Sequence, residues 1–268
     1  MNTIAALDAR ALAATFAREF LSYRINRFLH LHVALMLAIG LLALLAPPEA
    51  AAPGTAWWVQ NGVLYVASLS ALLLGLSSAQ AETEEFALLF TQPLRLGEWV
   101  AGKCAGLLCV VAPSAALLVL PTLFTAGGSP LLLGAALSAA AVSVLLAWTG
   151  LALGFWIHDP VRGLIAALAV WCVLLFGVDL LLILIGGSTW IHEHPLPWVA
   201  VLMLSPLDAY RVTLLFVVER AAFDSSGLDP LTRYWLDHAE TWLAICMTAW
   251  STVAAWAAAV GARRRCTT

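Results

Sequence analysis

Between two long apolar runs the chain carries Gln80-Ala81-Glu82-Thr83-Glu84-Glu85-Phe86-Ala87-Leu88-Leu89-Phe90-Thr91-Gln92-Pro93-Leu94-Arg95. Glu82, Glu84 and Glu85 sit where a short helix would begin, and acidic side chains favour the positive end of a helix dipole. Leu88, Leu89 and Phe90 supply an apolar anchor, and Pro93 ends the helix before the chain re-enters the next apolar run. An acidic, amphipathic element of this kind, just outside a hydrophobic span, can receive force from a soluble partner and pass it into membrane helices.

The flanking sequence dictates the solvent. Of 268 residues, 62% are hydrophobic and only 11% charged, with a mean hydropathy of +0.92. A water-soluble domain cannot hide that much apolar surface. Crossing roughly 30 Å of hydrocarbon takes about 20 helical residues. Six runs are long enough, near 28–46, 58–79, 104–124, 131–157, 164–186 and 240–260, the fourth so long that a tilt or an interruption is expected. Backbone groups in lipid must bond internally, and the alternation of a membrane barrel is absent, so helices follow. The expected fold class is an all-α polytopic membrane protein with one six-span domain over 28–268.

Lys and Arg placement sets the expected orientation. Arg10, Arg18, Arg24, Arg27, Arg95, Lys103, Arg162, Arg263, Arg264 and Arg265 fall on one side, and only Arg211, Arg220 and Arg233 on the other. Both termini are therefore expected in the cytoplasm. Residues 1–27 read as an amphipathic helix in the inner interface, with Leu7, Leu12, Phe16 and Phe20 at helical spacing; an ordinary cytoplasmic extension accounts equally well for the first ten. They lack the apolar core and small-residue cleavage site of a signal peptide. The five cysteines show no C-x-x-C spacing and no disulfide is assigned.

Two connections have room for function: the inner one at 80–103 and the outer one at 187–239. The outer one reads as two short helices, from 198 to 204 and from Ala209 to about Phe223, dipping into or lying on the outer leaflet and broken at Pro206. Trp190, Trp198, Trp235 and Trp242 are expected at headgroup depth. Asp208, just before Ala209, is placed to cap the second helix.

Several motifs weigh less than they promise. Gly97-Glu98-Trp99-Val100-Ala101-Gly102-Lys103-Cys104 matches a phosphate-binding loop except at its last position, where a thiol replaces the hydroxyl that a hard Mg²⁺ requires. Close helix packing at Gly102 and Gly106, with Lys103 snorkelling to the interface, is the better account. His192-Glu193-His194 and Met203 are residues that copper or zinc can use. However, side chains two apart in an extended chain face opposite ways, so a solvated linker is preferred. No resident metal is expected. Asp179, inside the fifth span, lacks a second acid for an aspartyl dyad, and no G-x-S-x-G is present. A polar contact within the bundle is expected for it.

The stretch from Glu84 to Arg95, continuing through Gly97-Glu98 and Gly102-Lys103, resembles the inner connection of ABC-2-type transporter permeases. There an E-x-G-T-x-E-L-L-L-x-x-P-L/V-x-R … G-K element serves as a coupling helix seated in a groove of the ATPase subunit. Phe86-Ala87 stands here where a Gly-Thr pair is common. The resemblance covers nearly the whole chain: six spans, an interfacial N-terminal helix, and paired helices between spans five and six. Leu204-Ser205-Pro206-Leu207-Asp208-Ala209-Tyr210-Arg211 is similar to the N-P-x-D-x-[FY]-R element of the NosY-type branch, with Ser205 in place of Asn. Those permeases work with an ATPase and a periplasmic β-helical protein in copper-site maturation of nitrous oxide reductase.

The resemblance implies a permease subunit of the bacterial inner membrane, not itself an enzyme, with ATP bound by a partner and copper confined to the wider system. It makes Glu82, Glu84, Glu85, Leu88, Leu89, Phe90, Pro93 and Arg95 the coupling residues, and Pro206, Asp208, Tyr210 and Arg211 an external partner site or gate. The partners implied are an ABC ATPase, a second copy of the chain, the bilayer and a β-helical periplasmic protein, with no nucleic acid. A generic exporter of lipid or drug, and a non-transporting scaffold, are the alternatives.

Overall fold

The computed structural model describes residues 9–44, 53–81, 95–126, 130–185, 196–219 and 230–267, and within them it is almost entirely helical, with no strand. The helices are α1 (Ala9–Tyr23), α2 (Arg27–Leu44), α3 (Pro53–Asn61), α4 (Ser68–Ala81), α5 (Leu96–Ala126), α6 (Pro130–Trp156), α7 (Pro160–Ile185), α8 (Leu196–Leu204), α9 (Pro206–Glu219) and α10 (Pro230–Thr267). Five stretches are long and apolar enough to cross a membrane: Trp57–Ala81, Leu96–Leu118, Gly134–Trp156, Pro160–Ile185 and Asp237–Arg265. A sixth is reached if Leu12–Tyr23 and Arg27–Leu42, bent by 70° to one another, count as one broken span. The chain is thus a multi-pass helical membrane protein.

Local sequence explains the element boundaries. Asp159 accepts from the N–H groups of Val161 and Arg162 at 2.8 and 3.1 Å, and Pro160 occupies the first helical position of α7. Such a start satisfies otherwise orphaned donors. At the close of α6, Arg265 donates to the carbonyls of Gly154, Phe155 and Ile157. A basic group at a helix C-terminus meets both the free carbonyls and the dipole there.

Two helix pairs make the closest approaches. At the α4–α6 crossing, Gly75 lies on the backbone at Ala147 and Gly150 on the backbone at Leu72, so a Cβ at either would collide with main chain. Small residues four apart let membrane helices meet this way when no hydrophobic force drives them together. At α1–α5, a Cβ on Gly102 would fall 2.8 Å from the Thr15 Cβ, and one on Gly106 3.0 Å from the Glu19 Cβ. The packing role read for Gly102 and Gly106 is observed, with α1 as the partner.

Two expectations are corrected. Of the tilt or interruption read for the fourth apolar run, the interruption is absent: the run is one helix of 27 residues. The interruption falls in the second, where Gly62–Ala67 forms a π-helical turn and the Ser68 N–H reaches back to the Val63 carbonyl. Lys103 does not snorkel: its side chain is 1% exposed and pairs with Glu19 at 3.1 Å, also 1% exposed. The two glycines beside it let α1 lie over it. Consequently α1 turns Thr15, Glu19 and Tyr23 inward and leaves Phe20 exposed.

The polar side chains of the spans bind helices to one another. His32 on α2 bridges the hydroxyls of Ser70 (2.7 Å) and Ser114 (2.9 Å), joining α2, α4 and α5. Tyr23 meets Ser78 at 2.8 Å, Trp171 donates to Ser68 at 2.8 Å, and Trp148 donates to the Cys104 carbonyl at 3.1 Å. Buried polar groups need such partners, and here they come from neighbouring helices.

Candidate functional site

The two short helices between the last two spans are present, with the break one residue wide. α8 ends at Leu204, and the Ser205 N–H still bonds the Val201 carbonyl at 3.2 Å. Pro206 then opens α9, and the Ala209 N–H bonds the Ser205 carbonyl at 2.9 Å. Ser205 is therefore the capping position, with proline first and Asp208 third, the spacing of a capping box. This corrects the role read for Asp208, which lies inside the first turn. Its carboxyl takes a side-chain hydrogen bond from Ser205.

α10 holds the end of α8 along one face. Trp242 donates to the Met203 carbonyl at 2.9 Å, Trp250 to the Leu204 carbonyl at 2.8 Å, and the Cys246 thiol contacts the Leu204 carbonyl at 3.6 Å. These residues are four apart, so they share one helix face, and they occupy carbonyls that the end of α8 leaves free. Trp242 thus acts as a clasp between helices.

The two sides of α9 differ in chemistry. On one, Arg211 donates to Asp179 of α7 at 2.8 Å and lies 3.6 Å from Asp208. The polar contact expected for Asp179 is this one. Asp208 is 3% exposed, Arg211 24% and Asp179 41%, so the cluster grades from core to surface. Burial pushes the Asp208 carboxyl above its ordinary range and the nearby Asp179 adds to this, while the Ser205 bond and the Arg211 charge act in the other direction. The second carboxylate oxygen of Asp208 has no hydrogen-bond partner.

On the other side, Tyr210, Thr213 and Leu214 line a partly open cavity of about 600 Å³ between α9, α6 and α10. Tyr210 is fully buried, its hydroxyl has no hydrogen-bond partner, and burial pushes its phenol above the usual range.

Pro206, Asp208 and Tyr210, read as an external partner site or gate, are all buried, while Arg211 is partly exposed. Met203, a candidate metal contact, is enclosed at 1% exposure; His192 and His194 lie outside the described residues. Among the described residues no group of three or more His, Cys, Asp or Glu side chains is placed to hold a metal.

Of the coupling residues, Glu82, Glu84, Glu85, Leu88, Leu89, Phe90 and Pro93 lie outside the described residues. Arg95 is exposed and caps α5: its carbonyl accepts from the N–H groups of Glu98 and Trp99 at 3.0 and 3.1 Å, and Glu98 reaches back to its N–H at 3.4 Å. Gly97–Lys103 is helical throughout, so it forms no loop to cradle a phosphate. The sequence reading missed the cavity and the His32 bridge. A histidine inside an apolar run, with serines in two others, was the available signal for the bridge.

No protein-family model matches this chain, and no curated protein matches it.

Proposed function

We propose that the chain is the membrane-spanning permease subunit of an ABC-2-type transporter complex, moved by ATP hydrolysis in a separate subunit. One observation carries this reading: a pair of short helices, broken at Pro206, stands between the last two spans and is tied to both. Arg211 links α9 to α7, and Trp242 and Trp250 link α8 to α10. A displacement of either span therefore reaches α8 and α9 through charge and hydrogen bonds. The N-terminal helix, bent by 70° from α2 and clamped onto α5, adds a second element that moves with the bundle.

In this reading the termini and residues 80–103 face the cytoplasm, α8 and α9 face the opposite compartment, and two copies pair in a bacterial inner membrane. Glu82, Glu84 and Glu85 meet basic groups of the ATPase. In the NosY-type version the output passes to a periplasmic β-helical protein and serves copper-site assembly. The cavity beside Tyr210 favours a second version, export of a lipid-like or drug-like molecule.

The test is purification of the tagged chain from its native membrane in mild detergent, with mass spectrometry of what accompanies it. An ATPase with a complete nucleotide-binding motif is the expected companion. A repeat protein alongside it selects the NosY-type version, and an ATPase alone selects the exporter. Charge reversal at Glu84 and Glu85 should abolish coupled ATPase activity while the protein stays folded. If no ATPase is recovered even after crosslinking, the permease reading falls to that of a scaffold.

A further inference from the structure

A shallow groove of about 270 Å³ lies along the exposed side of α2 and α4. Phe28, Leu31 and Leu35 of α2 line one wall; Val66 of the wide turn, with Leu69 and Leu73 of α4, lines the other. Ser70 also reaches the groove, but its hydroxyl is engaged by the Ala67 carbonyl and by His32. The α2 wall is two turns long, roughly 10 Å at 1.5 Å per residue. That is somewhat less than one leaflet of a hydrocarbon core about 30 Å thick.

One end of the groove carries charge. His32 is level with Ser70 and Ile39 with Gly62, so the two walls run antiparallel. Phe28 and Leu73 therefore mark the end at the bend between α1 and α2, and Tyr65 the other. Arg24 and Arg27 stand at that bend, both exposed, and neither pairs with an acidic side chain among the described residues. Arg27 is four residues before Leu31 and shares its face. Glu19, the acid on the adjoining turn of α1, is enclosed with Lys103. The start of α2 is capped by Asn26, which accepts from the Phe28 N–H at 2.9 Å, so the charge on offer is that of the arginines. Around them the surface is apolar: Leu21, Ile25 and Phe28 are exposed, Ile25 at 85%. After Arg27, α2 carries no Asp, Glu, Lys or Arg through Leu44. Uncovered apolar side chains beside arginines fit the boundary between acyl chains and headgroups. A second copy does not fit. Copies related by a two-fold axis along the membrane normal would meet here level with level, setting Arg24 and Arg27 against like charges.

We propose that this groove holds one acyl chain of a phospholipid whose headgroup carries net negative charge. The phosphate accepts hydrogen bonds from Arg24 and Arg27, whose planar donor forks match its oxygens. The chain lies between Leu31, Leu35 and Leu69. A zwitterionic head brings its own cation toward the same arginines and is disfavoured. The inference needs only that α2 lies in the membrane, and it stands apart from the permease reading.

The experiment is photolabelling of the full-length protein in detergent, with phosphatidylglycerol bearing a diazirine in one acyl chain and with phosphatidylcholine bearing the same chains. Neither probe requires an ATPase, so a result here does not depend on the complex. Phosphatidylglycerol should label peptides of α2 and of residues 65–73, be competed by its unlabelled form, and outperform phosphatidylcholine. Arg24→Gln and Arg27→Gln should each lower its labelling about fivefold, the ratio equivalent to roughly 1 kcal/mol per cationic side chain at a lipid surface. Both positions are exposed, so these variants keep the fold, and Arg27→Lys, which keeps the charge, should retain most of the labelling. Leu69→Trp should fill the groove and lower labelling by both probes. Equal labelling by the two heads, labelling indifferent to the arginine and Leu69 variants, or a groove that neither probe labels would overturn the proposal. So would a Leu31→Cys protein that forms crosslinked dimers the parent does not, since a second copy would then cover the groove.

Discussion

Two ion pairs stand at opposite ends of the bundle, and they are built differently. Lys103 and Glu19 join α5 to α1 with both side chains enclosed, the ammonium also near the Trp99 ring at 5.7 Å. At the other end Arg211 is shared between Asp208, buried, and Asp179, much more open. An enclosed pair cannot be relieved by water, so removing one member leaves the other stranded. A pair whose members are partly outside the core leaves less stranded when it is broken. The first device fixes a geometry. The second ties α9 to α7 at the margin of the bundle.

The largest expected effect breaks the first pair. Lys103→Met leaves the Glu19 carboxylate without a charge partner and should cost about 3–5 kcal/mol. Thermal unfolding in detergent measures it. Adding Glu19→Gln should recover most of the loss; a double variant as unstable as the single would show that packing at Gly102 and Gly106, and not charge, sets the cost. Arg211→Gln is expected to cost less, about 1–3 kcal/mol, nearly all through Asp208. A loss matching that of Lys103→Met would erase the distinction between the two ends.

The smallest effect is read in pH. The Asp208 carboxyl holds its proton to higher pH than the ordinary value of 3.8, so the folded state binds more protons than the unfolded one above that value. Stability contributed by this group is complete below 3.8, falls as pH rises through the folded value, and stays low beyond. Asp208→Asn carries no such proton. Relative to the wild type it should gain stability as pH rises from about 4 to 7, by less than about 1 kcal/mol. A parallel pair of curves would mean that Ser205 and Arg211 cancel burial, and a divergence of the opposite sign that they outweigh it.

What was legible in the sequence is what local chemistry decides. Ser205-Pro206-Leu207-Asp208 announces a helix break and a new start within four residues, and the break is there. Asp159-Pro160 likewise opens α7. The spans follow from apolar runs, and close helix packing from Gly102 and Gly106, though not that α1 is the helix packed there. The burial of Lys103 was illegible because its partner lies 84 residues away on another helix. The His32 bridge joins residues 38 and 82 positions distant, and the cavity needs three helices to exist. Such features arise from how elements cross, which spacing along the chain does not encode.

The wide turn at Gly62–Ala67 has a consequence for how this chain tolerates change in length. A π-helical turn holds one more residue than an α-helical turn can. Deleting a single residue there would let the helix close into ordinary α geometry without a break. The wide turn takes up its extra residue within the turn itself, so Trp57 and Trp58 would keep their facing relative to Ser68 and Ser70. The partners of those serines, Trp171 and His32, would stay in register as well. A one-residue gap at this place among related chains would therefore mark a closed bulge, and neither a rotated helix end nor a lost span.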